Sequence, residues 1–160
     1  MNQRIRSAII ILLLVILDRA SKLYIQAHVS LSDVIPVIPG IFNIVHAENA
    51  GAAFSMLADA PQYVRVTLLV GVSLLVMAVI GVMLIRLPKN AGLLTSISLA
   101  MVFGGALGNL WDRVLRGTVT DFVQVFIGSY EFPSFNVADS AITVGAALLV
   151  IDLWRGRKTA

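Results

Sequence analysis

Apolar residues fall into four long blocks along this chain, and the polar residues gather at the ends of the blocks and between them. The first block runs from about Ser7 to Ile25 and is interrupted by Asp18, Arg19 and Lys22. The second, about Val66 to Ile85, holds no charged residue. The third, about Gly92 to Leu110, carries Gly104, Gly105, Ala106 and Gly108, small residues that let helix backbones approach closely in lipid. The fourth covers about Val137 to Trp154, with Asn136 placed to cap it and Asp139 at its third position. Each block is close to the ~20 residues that cross a bilayer as a helix. Four transmembrane helices are therefore expected, at about 7–25, 66–85, 92–110 and 137–154. Between the first two, the stretch from Val34 to Val45 is β-branched and punctuated by Pro36, Pro39 and Gly40, which predicts short strands with a turn. Asn49-Ala-Gly-Ala-Ala-Phe54 follows, a small-residue loop where a bound chain can approach the backbone. The expected fold is all-α and integral to a membrane, one unit over residues 1–160, with a small extracytoplasmic β element between helices 1 and 2.

Composition agrees with the pattern. A chain that is 58% hydrophobic and 13% charged, with a mean hydropathy of +0.90, is not an ordinary soluble domain. With no cysteine, disulfides, thiolate metal sites and a cysteine nucleophile are excluded. The net charge of +3 does not call for nucleic acid, because the cations cluster at the ends of the apolar blocks. Arg4 and Arg6, Arg86 and Lys89, and Arg155, Arg157 and Lys158 form three such groups, and none lies between Leu23 and Val64. The positive-inside rule then places both termini and the Arg86–Lys89 turn in the cytoplasm. The long first connection and the segment Trp111–Phe135 lie outside. Arg113 runs against this distribution, which marks it as a candidate functional cation. Arg4 and Arg6 before the run Ala8–Leu17 imitate a signal peptide, but Asp18-Arg-Ala-Ser-Lys22 follows in place of a cleavage site, so the segment reads as a retained span. His28, His46 and Glu48 lack a recognised ligand spacing, and neither a metal nor a cofactor is expected.

Asp121 and Asp139 are the residues with most chemical interest. They stand 18 positions apart among nine carboxylates in all, each in strongly apolar surroundings: Gly117-Thr-Val-Thr-Asp-Phe122 and Phe135-Asn-Val-Ala-Asp-Ser140. Ionised groups near membrane depth are costly and usually have a task or a partner. Two carboxylates brought together there can share a proton and activate water. The predicted topology gathers Asp121, Asp139, Asn49 and Asn109 on one side of the membrane, with Asp18 roughly 10 Å below the end of the first helix. Asp18 and Lys22 form an i,i+4 pair on one face of that helix. Phe122, Phe135, Val137 and Ala138 are expected to wall the site, with Thr120 and Asn136 orienting the carboxylates. Asn49, Asn109 and Arg113 supply directed donors for a substrate main chain. Plainer readings stand beside these: Asp139 as part of a cap with Asn136, Asp121 as a solvated loop carboxylate, Asp18–Lys22 as a structural pair, and Asp112 paired with Arg113 or Arg116.

Five segments, in order, resemble the bacterial lipoprotein signal peptidase family, the type II signal peptidases. They are Asp18-Arg-Ala-Ser-Lys22, Asn49-Ala-Gly-Ala-Ala-Phe54, Gly104-Gly-Ala-Leu-Gly-Asn-Leu-Trp-Asp-Arg113, Gly117-Thr-Val-Thr-Asp-Phe122 and Phe135-Asn-Val-Ala-Asp-Ser140. The resemblance implies an aspartic endopeptidase of the bacterial cytoplasmic membrane with its site near the outer face. It would act on diacylglyceryl-modified prolipoproteins and cleave immediately before the lipidated cysteine. It assigns Asp121 and Asp139 to the catalytic pair. Asn49, Gly51, Asn109, Arg113, Asn136 and Ala138 fall on the family's positions around the substrate groove, together with the polar pair Asp18 and Lys22. Residues of about 30–60 would form the β element and a lid. Membrane lipids and cyclic peptide inhibitors such as globomycin are implied partners, and a monomer is expected. Two other classes compete: a transporter or channel subunit, which the bare second block disfavours, and a structural subunit, which leaves two Asp motifs unexplained.

Overall fold

The structure is a computed structural model that describes residues 3–51, 61–88 and 91–157. Residues 52–60, where the Ala52–Phe54 part of the loop motif and much of the expected lid fall, lie outside the described residues, as do Lys89 and Lys158. In chain order the elements are α1 (Gln3–His28), β1 (Val34–Ile38), β2 (Phe42–Asn49), α2 (Gln62–Ile85), α3 (Leu93–Arg116), β3 (Val119–Ile127), β4 (Tyr130–Phe135) and α4 (Val137–Arg157). Each helix covers the apolar block expected at its position, apart from Gly92, which is the N-cap of α3, and extends beyond it at one end or both. Polar residues continue a helix wherever the backbone bonds can be satisfied, so hydropathy marks the span rather than the helix ends.

Among the described residues, three helices are long and apolar enough to cross a membrane: Gln62–Ile85, Leu93–Arg116 and Val137–Arg155. The first helix has 26 residues, but Asp18, Arg19 and Lys22 interrupt its apolar run. Burial differs sharply among the candidates. The apolar window of α2 is 6% buried and that of α3 is 56% buried. An apolar helix that leaves its surface uncovered is suited to lipid as its solvent, whereas α3 is the central post against which α1, α2 and α4 pack.

Glycines set how closely that post is approached. A Cβ on Gly108 would stand 2.6 Å from Asp18 Oδ2 and 3.3 Å from the Ala138 Cβ. One on Gly105 would collide with the Ala138 carbonyl oxygen and reach 2.8 Å from Ile142 Cγ1. The bare backbone of α3 therefore lets α1 and α4 converge on the same stretch.

The β element is larger than the sequence pattern suggested. The strands from 34 to 49 form the expected hairpin, but they are half of a four-stranded antiparallel sheet in the order β1-β2-β3-β4. The second hairpin is supplied by residues 119–135, between helices 3 and 4, so the β element is not confined to the connection between helices 1 and 2. Alternation in Val-Thr-Asp-Phe-Val-Gln-Val-Phe-Ile is masked by its first four residues, which are all buried. A strand buried on both faces at one end loses the period-2 signal. Gly117 makes the entry possible. It ends α3 in the left-handed conformation at φ 76°, with its N–H bonded to the Arg113 carbonyl, and turns the chain directly into β3.

Candidate active site

Asp121 and Asp139 reach one site by different routes. Asp121 is the third residue of β3, and Asp139 lies in the first turn of α4. Asn136 stands at the helix entry and links them. Its Nδ2 donates to Asp121 Oδ1 at 2.7 Å, and its backbone N–H donates to Asp139 Oδ2 at 3.2 Å. The Asp139 N–H returns a bond to Asn136 Oδ1 at 3.0 Å. This is a reciprocal cap built from Asn and Asp, so the capping reading of Asp139 and its membership of a carboxylate pair hold together.

Each remaining carboxylate oxygen takes a further amide donor. Asn49 Nδ2 donates to Asp121 Oδ2 at 2.9 Å, and Asn109 Nδ2 donates to Asp139 Oδ1 at 2.7 Å. The two amides thus hold the carboxylates themselves, a different use from the substrate main-chain contact expected for them. The carbonyl ends are spoken for as well. Asn49 Oδ1 accepts from the Gly51 N–H at 3.0 Å, and Asn109 Oδ1 accepts from Lys22 Nζ at 3.0 Å and Asn136 Nδ2 at 3.2 Å. Because Lys22 is donor only, it fixes which way the Asn109 amide faces.

Below this layer lies a buried ionic cluster. Lys22 is fully buried and meets Asp18 Oδ2 at 2.8 Å and Asp112 Oδ2 at 2.9 Å. Asp112 also pairs with Arg19 at 2.6 Å, so its partners come from α1 and not from Arg113 or Arg116 as its local sequence suggested. Two cations and two carboxylates balance, as buried charges must. Asp18 Oδ1 accepts the Ala138 N–H at 2.9 Å, which anchors the first turn of α4 one residue before Asp139. Ala138 leaves 1% of its surface exposed, and a Cβ on Gly108 would stand 3.3 Å from the Ala138 Cβ.

Asp121 and Asp139 face a cavity of about 1100 Å³, with Asn49, Gly51, Arg65, Arg113, Phe135 and Ser140 among its walls. Arg113 interacts electrostatically with Asp139, Asp121 and Asp112, and among the described residues it makes no ion pair within 4.0 Å. Asp121 is 2% exposed. Burial, followed by the charge of Asp139, pushes its carboxyl from 3.8 to about 7, against the opposing hydrogen bonds from Asn49 and Asn136. At neutral pH it can therefore carry a proton.

Two other expectations shift. Thr120 does not orient the carboxylates through its hydroxyl, which faces Glu48 and Gln26 instead. Phe122 and Val137 pack with Ile25 and Val29 in a small core, leaving Phe135 as the expected wall residue that lines the cavity. Arg65, on the cavity wall, is not among the expected site residues; its only signal in the sequence is that it is the first cation after Lys22.

Fold and site together define a helical membrane protein whose polar centre is a pair of carboxylates held by asparagine amides, where the helices meet a small sheet. The chain belongs to the signal peptidase II family: the sequence model described as signal peptidase (SPase) II matches residues 10–155. It is 43% identical over 148 residues to a lipoprotein signal peptidase of Syntrophus aciditrophicus (strain SB), covering 91% of this chain and 90% of that one. It is 46% identical over 151 residues to the lipoprotein signal peptidase of Pseudomonas aeruginosa (strain UCBPP-PA14), covering 94% and 88%. Two solved structures of bacterial membrane enzymes, determined by the in meso method at 2.3 Å and 1.9 Å resolution, superpose with TM-scores of 0.86 and 0.82. Each is 32% identical in sequence; the first covers 96% of this chain and 90% of its own, and the second 92% of both.

Proposed function

We propose that this protein is an intramembrane aspartic endopeptidase that removes the signal peptide from diacylglyceryl-modified prolipoproteins, cleaving immediately before the lipidated cysteine. The observation that carries the reading is the Asn136 bridge, which presents Asp121 and Asp139 together to one cavity. Membership of the signal peptidase II family supports the substrate class.

Asp139 is the base and Asp121 the acid. Asp139 takes a proton from water, and the oxygen attacks the carbonyl carbon before the cysteine. Protonated Asp121 hydrogen-bonds the carbonyl oxygen as it gains charge. The C–N bond then breaks, a proton passes to the leaving amine, and the products are a signal-peptide carboxylate and a free α-amine on the lipidated cysteine. Asn49, Asn109 and Asn136 keep the carboxylates aimed, while Arg113 is the cavity donor for substrate main chain. Gly51 lets the substrate approach, Ala138 keeps the first turn of α4 close to α1, and Asp18 with Lys22 supports that turn from below.

All four helices span, with α1 held at depth by its neutralised charge cluster. The single unit over residues 1–160 acts as a monomer in the bacterial cytoplasmic membrane, both termini inside and the cavity near the outer face. The acyl chains of the substrate stay in the bilayer against the helices, and cyclic peptides such as globomycin occupy the same cavity.

The test is cleavage of a diacylglyceryl-modified prolipoprotein by purified wild type, Asp121→Asn and Asp139→Asn, each shown to be folded. Turnover by wild type and a loss of roughly 10³-fold or more in both variants is expected, since each removes an acid–base group. Unchanged turnover in either variant removes that aspartate from the reaction, and an inert folded wild type refutes the assignment.

A further inference from the structure

A polar knot centred on Glu48 takes no part in the proposed reaction, yet it touches both strands of the β2–β3 ladder that carries Asp121 and Asn49. The β2–β3 register pairs Ala47 with Asp121, Glu48 with Thr120 and Asn49 with Val119. Strand alternation sends the Asn49 and Asp121 side chains to one face and those of Glu48 and Thr120 to the other. On that second face Glu48 Oε2 accepts the Thr118 hydroxyl at 2.6 Å, and Oε1 accepts the Thr120 hydroxyl at 2.9 Å. His46 Nε2 stands 3.2 Å from Oε1, and the Arg116 guanidinium is 4.0 Å away. Gln26 of α1 donates to Thr120 Oγ1 at 2.7 Å, and His46 Nδ1 lies 2.7 Å from the Val29 carbonyl just past the end of α1. One carboxylate thus ties together β2, β3, the end of α1 and the end of α3.

The ladder needs such a tie here. The β2–β3 register shifts between Ile44 and Ala47, so the end that carries the Asn49–Asp121 contact is a short run beyond a bulge. Bulges disrupt local pairing and bend the strand. Burial pushes the Glu48 carboxyl up, but the bonds from Thr118, Thr120 and His46, with the Arg116 charge, outweigh it and hold the group below its ordinary range. An ionised Glu48 accepts from several donors at once, which a neutral side chain of the same shape does less well.

We propose that Glu48 is a positioning residue for Asp121: by clamping Thr118 and Thr120 from the reverse face, it sets the β3 register that keeps Asp121 within reach of Asn49 and Asn136. The proposal rests on Asp121 being one of the reacting pair.

The experiment compares wild type, Glu48→Ala, Glu48→Gln and Thr120→Val, each reconstituted and checked for folding, by two readouts. The first is kcat and KM on a diacylglyceryl-modified prolipoprotein. The second is the titration midpoint of the Asp121 carboxyl, followed by ¹³C NMR with Asp121→Asn as the assignment control. Glu48→Ala is expected to lower kcat on the order of 10-fold with KM within about twofold, with Glu48→Gln partly restoring it, since hydrogen bonds to a charged group are being lost. The Asp121 midpoint is expected to rise in Glu48→Ala and in Thr120→Val, because the amide bonds that favour the ionised form loosen. Loss of a nearby negative charge alone would lower it, so a fall or no change overturns the proposal. A raised KM at constant kcat also overturns it and makes Glu48 a substrate contact. If wild type is inert toward the lipidated substrate, the peptidase reading fails, while the NMR midpoint still decides whether Glu48 positions Asp121. If Glu48→Ala does not fold, Glu48→Gln and Thr120→Val carry the same comparison.

Discussion

Replacing Gly108 by alanine tests whether the closeness of three helices, rather than the polar groups alone, maintains the site. The added Cβ would stand 2.6 Å from Asp18 Oδ2, where ordinary contact begins at 3.4 Å, so the carboxylate must retreat by about 0.8 Å. Asp18 is held from two sides, by Lys22 at 2.8 Å and by the Ala138 N–H at 2.9 Å. A retreat of that size takes one of these bonds out of hydrogen-bonding range. A bond to a charged group contributes about 1.5–3 kcal/mol, and overpacking adds about 1–3 kcal/mol of strain. Alanine returns about 1 kcal/mol through helix propensity. The net is a destabilisation of about 1.5–5 kcal/mol. Gly71 is the control, because a Cβ there meets nothing within 4 Å; Gly71→Ala should be neutral or gain up to about 1 kcal/mol. Unfolding free energies by SDS titration in mixed micelles measure both. Turnover should fall in Gly108→Ala because Ala138 carries Asp139 with it. Equal stability and activity in the two variants would refute the argument that helix approach at Gly108 sets the site.

Two pH effects follow from Asp121. Its carboxyl is raised to about 7, so activity that needs its proton is lost as pH rises through about 7. Asn49→Ala removes a donor to the ionised form, and about 1 kcal/mol of hydrogen bond should move the alkaline limb of kcat/KM upward by about 0.7 pH units; a downward move contradicts the assignment. Stability has the same sign: the folded state binds this proton more tightly than the unfolded chain. The contribution is complete below the unfolded value of 3.8 and lost as pH rises through about 7, about 4 kcal/mol in all. Between pH 5 and pH 8 wild type should therefore lose about 2–3 kcal/mol of unfolding free energy that folded Asp121→Asn retains. Parallel pH profiles for the two proteins would show that Asp121 is not buried as described.

The linear order of residues determined the helices, the first hairpin and the two aspartates worth watching, because these signals are local. A run of apolar residues declares a helix in lipid, Pro36, Pro39 and Gly40 declare a turn, and an acidic residue in an apolar segment is conspicuous by its solvation cost. Local signals stop at the element's edge. No local signal declares the β3–β4 hairpin, because its buried first half has no alternation to read. The cations beside Asp112 in sequence are not its ion-pair partners; Arg19 and Lys22 meet it across α1 and α3. Asn49 and Asn109 look like donors awaiting substrate, yet packing turns them onto Asp121 and Asp139. An amide, hydroxyl or carboxylate can satisfy its bonds in many ways, and a chain of 160 residues does not say which of them will face it. Only the convergence of α1, α3 and α4 at Gly105 and Gly108, and the register of β2 on β3, select one partner for each. The tertiary structure thereby gives Asp121 its proton near neutral pH: burial and the charge of Asp139 are properties of the assembled site, and no segment of the chain has them alone.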